Sequence, residues 1–211
     1  MRELDDLPFA AHLRPLDDPL DDEGDYDGAL IEGEHQHATV RNARFTECAL
    51  RAARLTGTDF TATRFADSWF RNADLTATTM TESSWQDVEL LESTLAGAEL
   101  IGARLRRVTF EGCKLDGANF CGAQLREVTF RDCVLRDVDL AGAKLTAVAF
   151  PGSRVQLALR DTTMDKVDLR EAVGITVTEG VPSLRGAMIS RTQLFELAPL
   201  LAASVGLLVR D

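Results

Sequence analysis

The chain has 211 residues, of which 34 are acidic and 23 basic, so its formal net charge is -11. The excess of acid disfavours direct nucleic-acid binding, which needs clustered lysine and arginine, and 45% hydrophobic residues argue against global disorder. No apolar run approaches the roughly 20 residues of a membrane-spanning helix, and four cysteines without paired spacing fit a reducing, cytoplasmic compartment.

Most of the net charge lies in the first 34 residues, which hold 12 acidic and 2 basic side chains. A block of like charge at a terminus is typical of a solvated arm, and Pro8, Pro15 and Pro19 exclude a long helix there. The segment is also too acidic and too rich in proline for a secretory signal. We therefore expect residues 1–34 to form an acidic leader, and residues 35–211, with 22 acidic and 21 basic side chains, to be close to neutral.

Two short motifs at this end could hold a metal. Residues 23–34 nearly match the calcium loop D-x-[DN]-x-[DN]-G-x5-E, with Asp25, Asp27 and Glu34 in place but Glu23 at the first position. The pattern predicts no helix on either side, which favours an acidic lead-in to the following repeat over a calcium loop. His35 and His37 have no third ligand of suitable type nearby, so surface or structural histidines are favoured over a metal site.

A strict five-residue period begins at Val40. Every fifth residue from Val40 to Val155 is apolar, and every residue two positions before these is Ala, Cys, Ser, Thr or Val. Neither an α-helix, with a period of 3.6, nor an amphipathic strand, with a period of 2, gives this pattern. The expected core-stacking residues are Phe45, Phe60, Phe65, Phe70, Leu75, Trp85, Leu100, Phe110, Leu115, Phe120, Leu125, Phe130, Leu135, Leu140 and Phe150.

A square coil explains the period physically. One large and one small residue of each five point inward, the chain turns a corner after each set, and four such sides close one coil. Each coil stacks on the previous one at the β spacing of roughly 4.8 Å, so that each contacts only its neighbours. From Val40 to Val155 this arrangement predicts about six coils.

These residues resemble the pentapeptide-repeat family, whose pattern is A(D/N)LXX around a central Leu or Phe, as in Ala73-Asp74-Leu75 and Ala118-Asn119-Phe120. The resemblance covers residues 38–194 and implies an all-β fold, a right-handed, four-sided parallel β-helix. The register shifts by one residue near Leu157, and a break is expected at 174–182. Because His35 is a poor filler of the axis, we place the first regular coil near residue 38.

The C-terminal sequence predicts a helical cap. Residues 191–198 and 199–205 favour helix, with Pro199 as a kink or a new first turn and Gly206 as the C-cap. The apolar residues exceed what one covering face needs, which favours a homodimer over a monomeric cap. The candidate dimer or cap residues are Leu194, Phe195, Leu197, Leu200, Leu201 and Val205.

The outward positions carry little that suggests chemistry. Cys48, Cys113 and Cys133 fall in the small inward column, and Cys121 is the one outward thiol, with no histidine expected beside it. We expect no enzyme activity, no catalytic residue, no cofactor and no metal. One face, centred on Phe65, Trp85, Leu105 and Leu125, is net basic, helped by Arg104, Arg106 and Arg107; it is either an ordinary solvated surface or a docking stripe.

We therefore predict an acidic leader (1–34), a pentapeptide-repeat β-helix (35–190) and a C-terminal helical cap (191–211). The function favoured is a non-catalytic scaffold for protein–protein interaction, without direct nucleic-acid or membrane binding. The alternative follows from the resemblance: quinolone-resistance members of the family imitate DNA and modulate or protect DNA gyrase. A near-neutral rod differs from such an anionic mimic.

Overall fold

The computed structural model describes residues 3–208 and shows a four-sided parallel β-solenoid of about eight turns that ends in one α-helix. The strands are β1 (Arg14–Pro15), β2 (Asp25–Asp27), β3 (Ala29–Glu34), β4 (Arg44–Thr46), β5 (Ala49–Arg54), β6 (Arg64–Ala66), β7 (Trp69–Arg71), β8 (Ser84–Leu91), β9 (Arg104–Glu111), β10 (Gln124–Arg126), β11 (Thr129–Arg131), β12 (Val134–Asp139), β13 (Lys144–Thr146), β14 (Arg154–Ala158), β15 (Thr163–Asp165), β16 (Val167–Asp168), β17 (Gly174–Glu179) and β18 (Ala187–Met188). Short 3-10 turns span Leu4–Asp6, Ala10–His12 and Val181–Leu184, and helix α1 is Arg191–Ser204.

Each strand pairs in parallel with the equivalent strand of the next coil. Phe45 lies opposite Phe65, Phe65 opposite Trp85, and Trp85 opposite Leu105, and each of these steps is four complete repeats of five. The predicted coil of four sides is confirmed by this register. Equivalent side chains in consecutive coils are therefore direct neighbours along the rod.

A left-handed backbone residue makes each corner. The second residue after each central position has positive φ, as in Ala77 at 53°, Glu82 at 57° and Asp87 at 55°. One such residue in every five turns the chain while the intervening residues stay extended, and this sets the period. The turn amides remain bonded: Ala77 N–H donates to the carbonyl of Ala96 in the next coil at 2.8 Å.

Side chains fill the axis of the solenoid. All fifteen residues expected to stack in the core are buried, each at most 3% exposed. Phe110, Phe130 and Phe150 form a parallel stack with ring centroids 4.8 and 5.2 Å apart. Small polar residues complete the wall by bonding to backbone, as where Ser153 Oγ donates to the carbonyl of Phe130 at 2.9 Å.

The solenoid begins earlier than the sequence predicted. β1, β2 and β3 lie before residue 35, yet they pair with the strands that follow. This first coil is one residue shorter than the regular ones, because Tyr26 lies opposite Phe45 and Ile31 lies opposite Leu50. The acidic segment from Arg14 to Glu34 is thus part of the rod, and the expectation of a separate leader ending at residue 34 is wrong for it. Because this coil lacks one residue, a strict count of five does not detect it. His35 is half-buried; it follows Glu34, which pairs with Arg54, and therefore lies on the same side of the rod as Leu55.

Residues 3–13, which we call the strap, fold back on the outside of the rod. Leu7 and Phe9 are buried against Ala49, Trp69 and Leu91, which point outward from successive coils. An ion pair between Glu3 and Arg71 ties down the start of the strap. The predicted solvated arm is therefore wrong for these residues as well.

The register shift near Leu157 is a local irregularity. Leu135 pairs with Val155 in the regular register, whereas Val138 pairs with Leu157 instead of the residue after it, so this coil is one residue short. The expected break at 174–182 contains β17, which pairs with β14. The coil continues through it, with a register shift between Val177 and Glu179 and an irregular stretch at Gly180 and the 3-10 turn that follows.

The C-terminal cap is a single helix. α1 runs through Pro199 as one continuous helix, so of the two predicted alternatives the new first turn at that residue is wrong. Ser190 and Gln193 form a capping box at its start. At its end Gly206, with φ of 80°, closes the helix as predicted, because its N–H bonds to Ala203 O and the N–H of Leu207 bonds to Ala202 O.

Candidate functional site

The filled axis leaves the outer surface as the place for function. Across residues 3–208, no group of three or more His, Cys, Asp or Glu side chains is arranged to hold a metal ion, and no helix is long and apolar enough to cross a membrane. The calcium-like motif is drawn out into strand β2: Tyr26 stacks on Phe45 at 4.7 Å, while Asp25 and Asp27 lie exposed on either side of it. An extended strand spreads these carboxylates apart, whereas a calcium loop wraps them around the ion.

The cysteine side chains are mostly buried in the wall of the rod. Cys48, Cys113 and Cys133 are buried in the small column, and all four cysteines are free. Burial raises the pKa of the Cys48 thiol to about 11, and hydrogen bonding to Cys113 together with burial raises the pKa of Cys133. The thiols of Cys48 and Cys133 are therefore poor nucleophiles at neutral pH, while Cys121 is half-exposed.

One flat side of the rod has acidic residues at its two ends, Asp25 and Asp27 before β4 and Asp165 after β13. Over the six coils between them its outward side chains are only neutral or basic, and we call this stretch the basic face. It consists of the two outward positions on β4, β6, β8, β9, β10 and β13, which flank the central residues Phe45, Phe65, Trp85, Leu105, Leu125 and Leu145. The outward residues are Arg44, Thr46, Arg64, Ala66, Ser84, Gln86, Arg104, Arg106, Gln124, Arg126, Lys144 and Thr146. Six of these twelve are cationic and none is acidic, so the face is a positive stripe along six coils.

Arg107 does not belong to this face, contrary to the sequence interpretation. It occupies the adjoining corner at positive φ and donates two hydrogen bonds of 2.5 Å to Asp87 one coil earlier. The Arg107 guanidinium holds the pKa of the Asp87 carboxyl below its usual range. The same corner carries Glu47, Asp67 and Glu127, so a row of acid borders the basic face along one edge.

The side of the rod centred on Phe60, Met80, Leu100 and Phe120 has the opposite charge. Its outward residues include Asp59, Glu99 and Asp139, and Asp59 is paired with Arg41 at 2.6 Å. The structure thus separates positive and negative side chains onto different sides of one rod. With Arg14–Glu34 included, the rod has 29 acidic and 20 basic side chains between residues 14 and 190, and a rod of net negative charge can still present a positive surface to a partner.

A cleft of about 280 Å³ lies between the strap and the rod. Leu7, Pro8 and Phe9 form its outer wall, and the solenoid contributes Trp69, Thr109 and the Asp87–Arg107 pair. The strap was missed by the sequence analysis. Its signal was present in Trp69 and Leu91, two large apolar residues at outward positions that are mostly polar or small, which indicates that something covers them.

The candidate dimer residues divide into two groups. Leu194, Phe195 and Val205 are exposed, at 48%, 79% and 72%, and Leu207 and Leu208 beyond them are exposed too. Leu197 is buried against the end of the solenoid, and Leu200 and Leu201 are half-buried. Leu197 therefore belongs to the cap that closes the rod and not to the exposed apolar surface.

Comparison with family models gives two matches that together span residues 41–158. Residues 95–158 match the model described as pentapeptide repeat region, and residues 41–76 and 73–112 match the model described as pentapeptide repeats (8 copies). No curated protein sequence matches the chain.

Solved structures show the same architecture at low identity. A trypsin-treated variant of QnrB1, a plasmid-mediated fluoroquinolone resistance protein, is 16% identical with a TM-score of 0.52, and the match covers 89% of this chain and 98% of that one. HetL, a pentapeptide-repeat protein involved in heterocyst differentiation regulation in the cyanobacterium Nostoc sp. strain PCC 7120, is 17% identical over 80% of this chain and 90% of its own, with a TM-score of 0.41. At such identities the QnrB1 likeness supports the fold alone.

Proposed function

We propose that this chain, which belongs to the pentapeptide-repeat family, is a non-catalytic scaffold that binds other proteins through the flat sides of its solenoid. The observation that carries the proposal is the basic face, where six cationic side chains and no acidic one stand on a rigid support along six coils. A rod with a filled axis offers long, regular surfaces that suit another protein. We place it in the cytoplasm, which its four free cysteines fit.

Recovery of a partner from the native host tests this function. The tagged chain, captured under mild cross-linking, is expected to bring down a protein in comparable molar amount. A matched capture with a variant whose solenoid is unfolded, such as Phe120→Asp, should lose that protein. Recovery of nothing above this control would contradict the scaffold function.

Modulation of DNA gyrase is the second candidate, favoured by the shared fold with QnrB1. The charge distribution supports it less well, because a DNA mimic requires acid along the rod and this rod carries a basic stripe. A supercoiling assay with purified gyrase, with and without a fluoroquinolone, separates the two functions. Inhibition or protection at micromolar chain would favour this candidate, and no effect on either reaction would exclude it.

We also propose that two copies associate through the C-terminal helix. The exposed apolar side chains of Leu194, Phe195 and Val205 support this association, because an apolar group of this kind is costly to leave in water. Phe195→Asp should convert the dimer to a monomer in light scattering without unfolding it. Leu197→Asp is unsuitable for that purpose, because the buried residue holds the cap in place.

A further inference from the structure

Among the described residues, four of the six cations of the basic face, Lys144 and three arginines, lack the ion pair that many other arginines of the rod have. Elsewhere an arginine often reaches a carboxylate of the preceding coil, as Arg51 does with Glu32 at 2.5 Å. In the described part of the chain, by contrast, Arg64, Arg104 and Arg106 have no ion pair. Arg106 lies within electrostatic reach of Asp87, but that carboxylate is already hydrogen-bonded to Arg107, so no acid of the described residues pairs directly with any of the three arginines.

The arrangement of these cations also works against folding. Arg106 lies opposite Arg126 in the next coil, and Arg104 is on the same strand two residues from Arg106. Like charges in register on neighbouring strands repel each other and are destabilising. A binding partner that brings negative charge would remove this repulsion.

The basic face also contains a depression that can receive a side chain of a partner. Between Arg64 and Arg104 the surface sinks into a shallow depression of about 430 Å³, which is lined by the small residues Ala66 and Ser84 and edged by Glu82. Arg64 pairs with Ser84 and Ser84 with Arg104, so the two arginines are two coils apart, roughly 9.6 Å along the rod. A carboxylate placed over Ser84 would lie between two guanidinium groups.

We infer that the basic face is the docking surface for an acidic protein segment, whose Asp or Glu side chains pair with Arg64, Arg104, Arg106 and their neighbours. The inference rests on the proposed scaffold function and names the chemistry of its partner. A nucleic acid fits less well, because the bordering corner carries Glu47, Asp67 and Glu127 beside the paired Asp87. The two columns of outward side chains on the basic face are only about 6.6 Å apart. One extended acidic chain fits over these columns, whereas a nucleic-acid duplex is wider and would bring its phosphates against the carboxylates of the bordering corner.

Titration with a fluorescein-labelled oligoglutamate peptide, followed by anisotropy at low salt, tests the inference. The variant Arg64→Glu/Arg104→Glu/Arg106→Glu should bind the peptide at least about tenfold more weakly than the native chain, because three charge contacts of about 0.5–1 kcal/mol each are lost. None of these three residues loses an ion pair on substitution, and the repulsion between Arg106 and Arg126 is removed, so the variant is expected to melt at or above the native temperature. The corresponding glutamine variant should weaken binding in the same direction and serves if the glutamate variant fails to fold.

The control is Lys114→Glu/Arg131→Glu/Arg154→Glu, which makes the same change in net charge at exposed positions on other sides of the rod. It should keep the native affinity within about twofold. Equal weakening in both variants, no binding by the native chain, or tighter binding of a labelled DNA duplex than of the peptide would each overturn the inference. A protein captured from the native host and retained by the basic-face variant would leave the scaffold function standing and reject this surface alone.

Discussion

At the scale of single residues, the corner positions carry the main conformational cost of the fold. Many left-handed corners are not glycine: Asn72, Ala77, Glu82 and Asp87 follow one another at four successive corners. A residue with a Cβ in this conformation costs about 1–2 kcal/mol. The cost is tolerated because each corner amide bonds to the next coil, as Glu82 N–H does to Ile101 O at 2.8 Å.

Ala77→Gly should therefore stabilise the protein. Glycine adopts the φ of 53° without strain. The strain energy that is relieved exceeds the entropic cost of ordering the more flexible glycine, so the free energy of unfolding should rise by about 0.5–1 kcal/mol. Ala96→Gly is the matched control, because Ala96 has no positive φ and the same substitution there should lower stability by a similar amount. Urea unfolding of both variants measures the difference, and destabilisation by both would show that the corners are not strained.

At the scale of elements, the two ends of the chain close or cover the solenoid by different means. Gln193 at the start of α1 is buried, and its Nε2 donates to the carbonyls of Leu169 at 2.7 Å and Ala172 at 3.1 Å in the last coil. One side chain thus satisfies an edge that would otherwise remain unpaired. The strap at the other end covers apolar outward residues on one side of the rod.

Gln193→Leu should destabilise the C-terminal end by about 1–3 kcal/mol, because the carbonyl of Ala172 loses its donor and the carbonyl of Leu169 keeps only the N–H of Ala172. Thr192→Leu, at an exposed position on the same helix, provides the control and should leave the melting temperature nearly unchanged. Thermal unfolding followed by circular dichroism makes the comparison. Equal melting temperatures for the two variants would mean that the cap contributes little through Gln193.

Phe9→Ala should release the strap and leave the solenoid intact. Loss of a buried phenyl ring costs about 3–5 kcal/mol, so the amides of Ala10, His12 and Leu13 should exchange at least about 100-fold faster. Pro8→Ala, at an exposed position, should change exchange little. Hydrogen exchange measured by mass spectrometry compares the two variants. Faster exchange throughout β8 and β9 in Phe9→Ala would contradict the prediction and indicate that the strap supports the whole rod.

At the scale of the whole molecule, the sequence predicts the repeated part of the fold and its C-terminal helix and misses its N-terminal end. The five-residue period identifies the interior because each coil must place a large residue such as Phe110 or Phe130 on the axis. The shortened coil with Tyr26 and Ile31 breaks that count, so the solenoid begins earlier than predicted. The strap depends on tertiary contact between Phe9 and Trp69, which periodicity does not encode.

The basic face was only partly predictable. The column positions of Arg104 and Arg106 follow from the five-residue period, and so does the positive net charge of that side of the rod over these coils. Which cations are neutralised does not follow from it, because a long side chain can reach either neighbouring coil. Arg107 pairs with Asp87 in the preceding coil although Glu127 occupies the same column in the following one.

Arginine footprinting is the most direct test that the basic face is a docking surface. The chain is treated with phenylglyoxal in the presence and absence of the oligoglutamate peptide, and modification is quantified by mass spectrometry. The peptide should protect Arg64, Arg104 and Arg106 and leave Arg131 and Arg154 on other sides of the rod as reactive as before. Equal protection at all five arginines, or protection of Arg131 and Arg154 alone, would contradict the assignment.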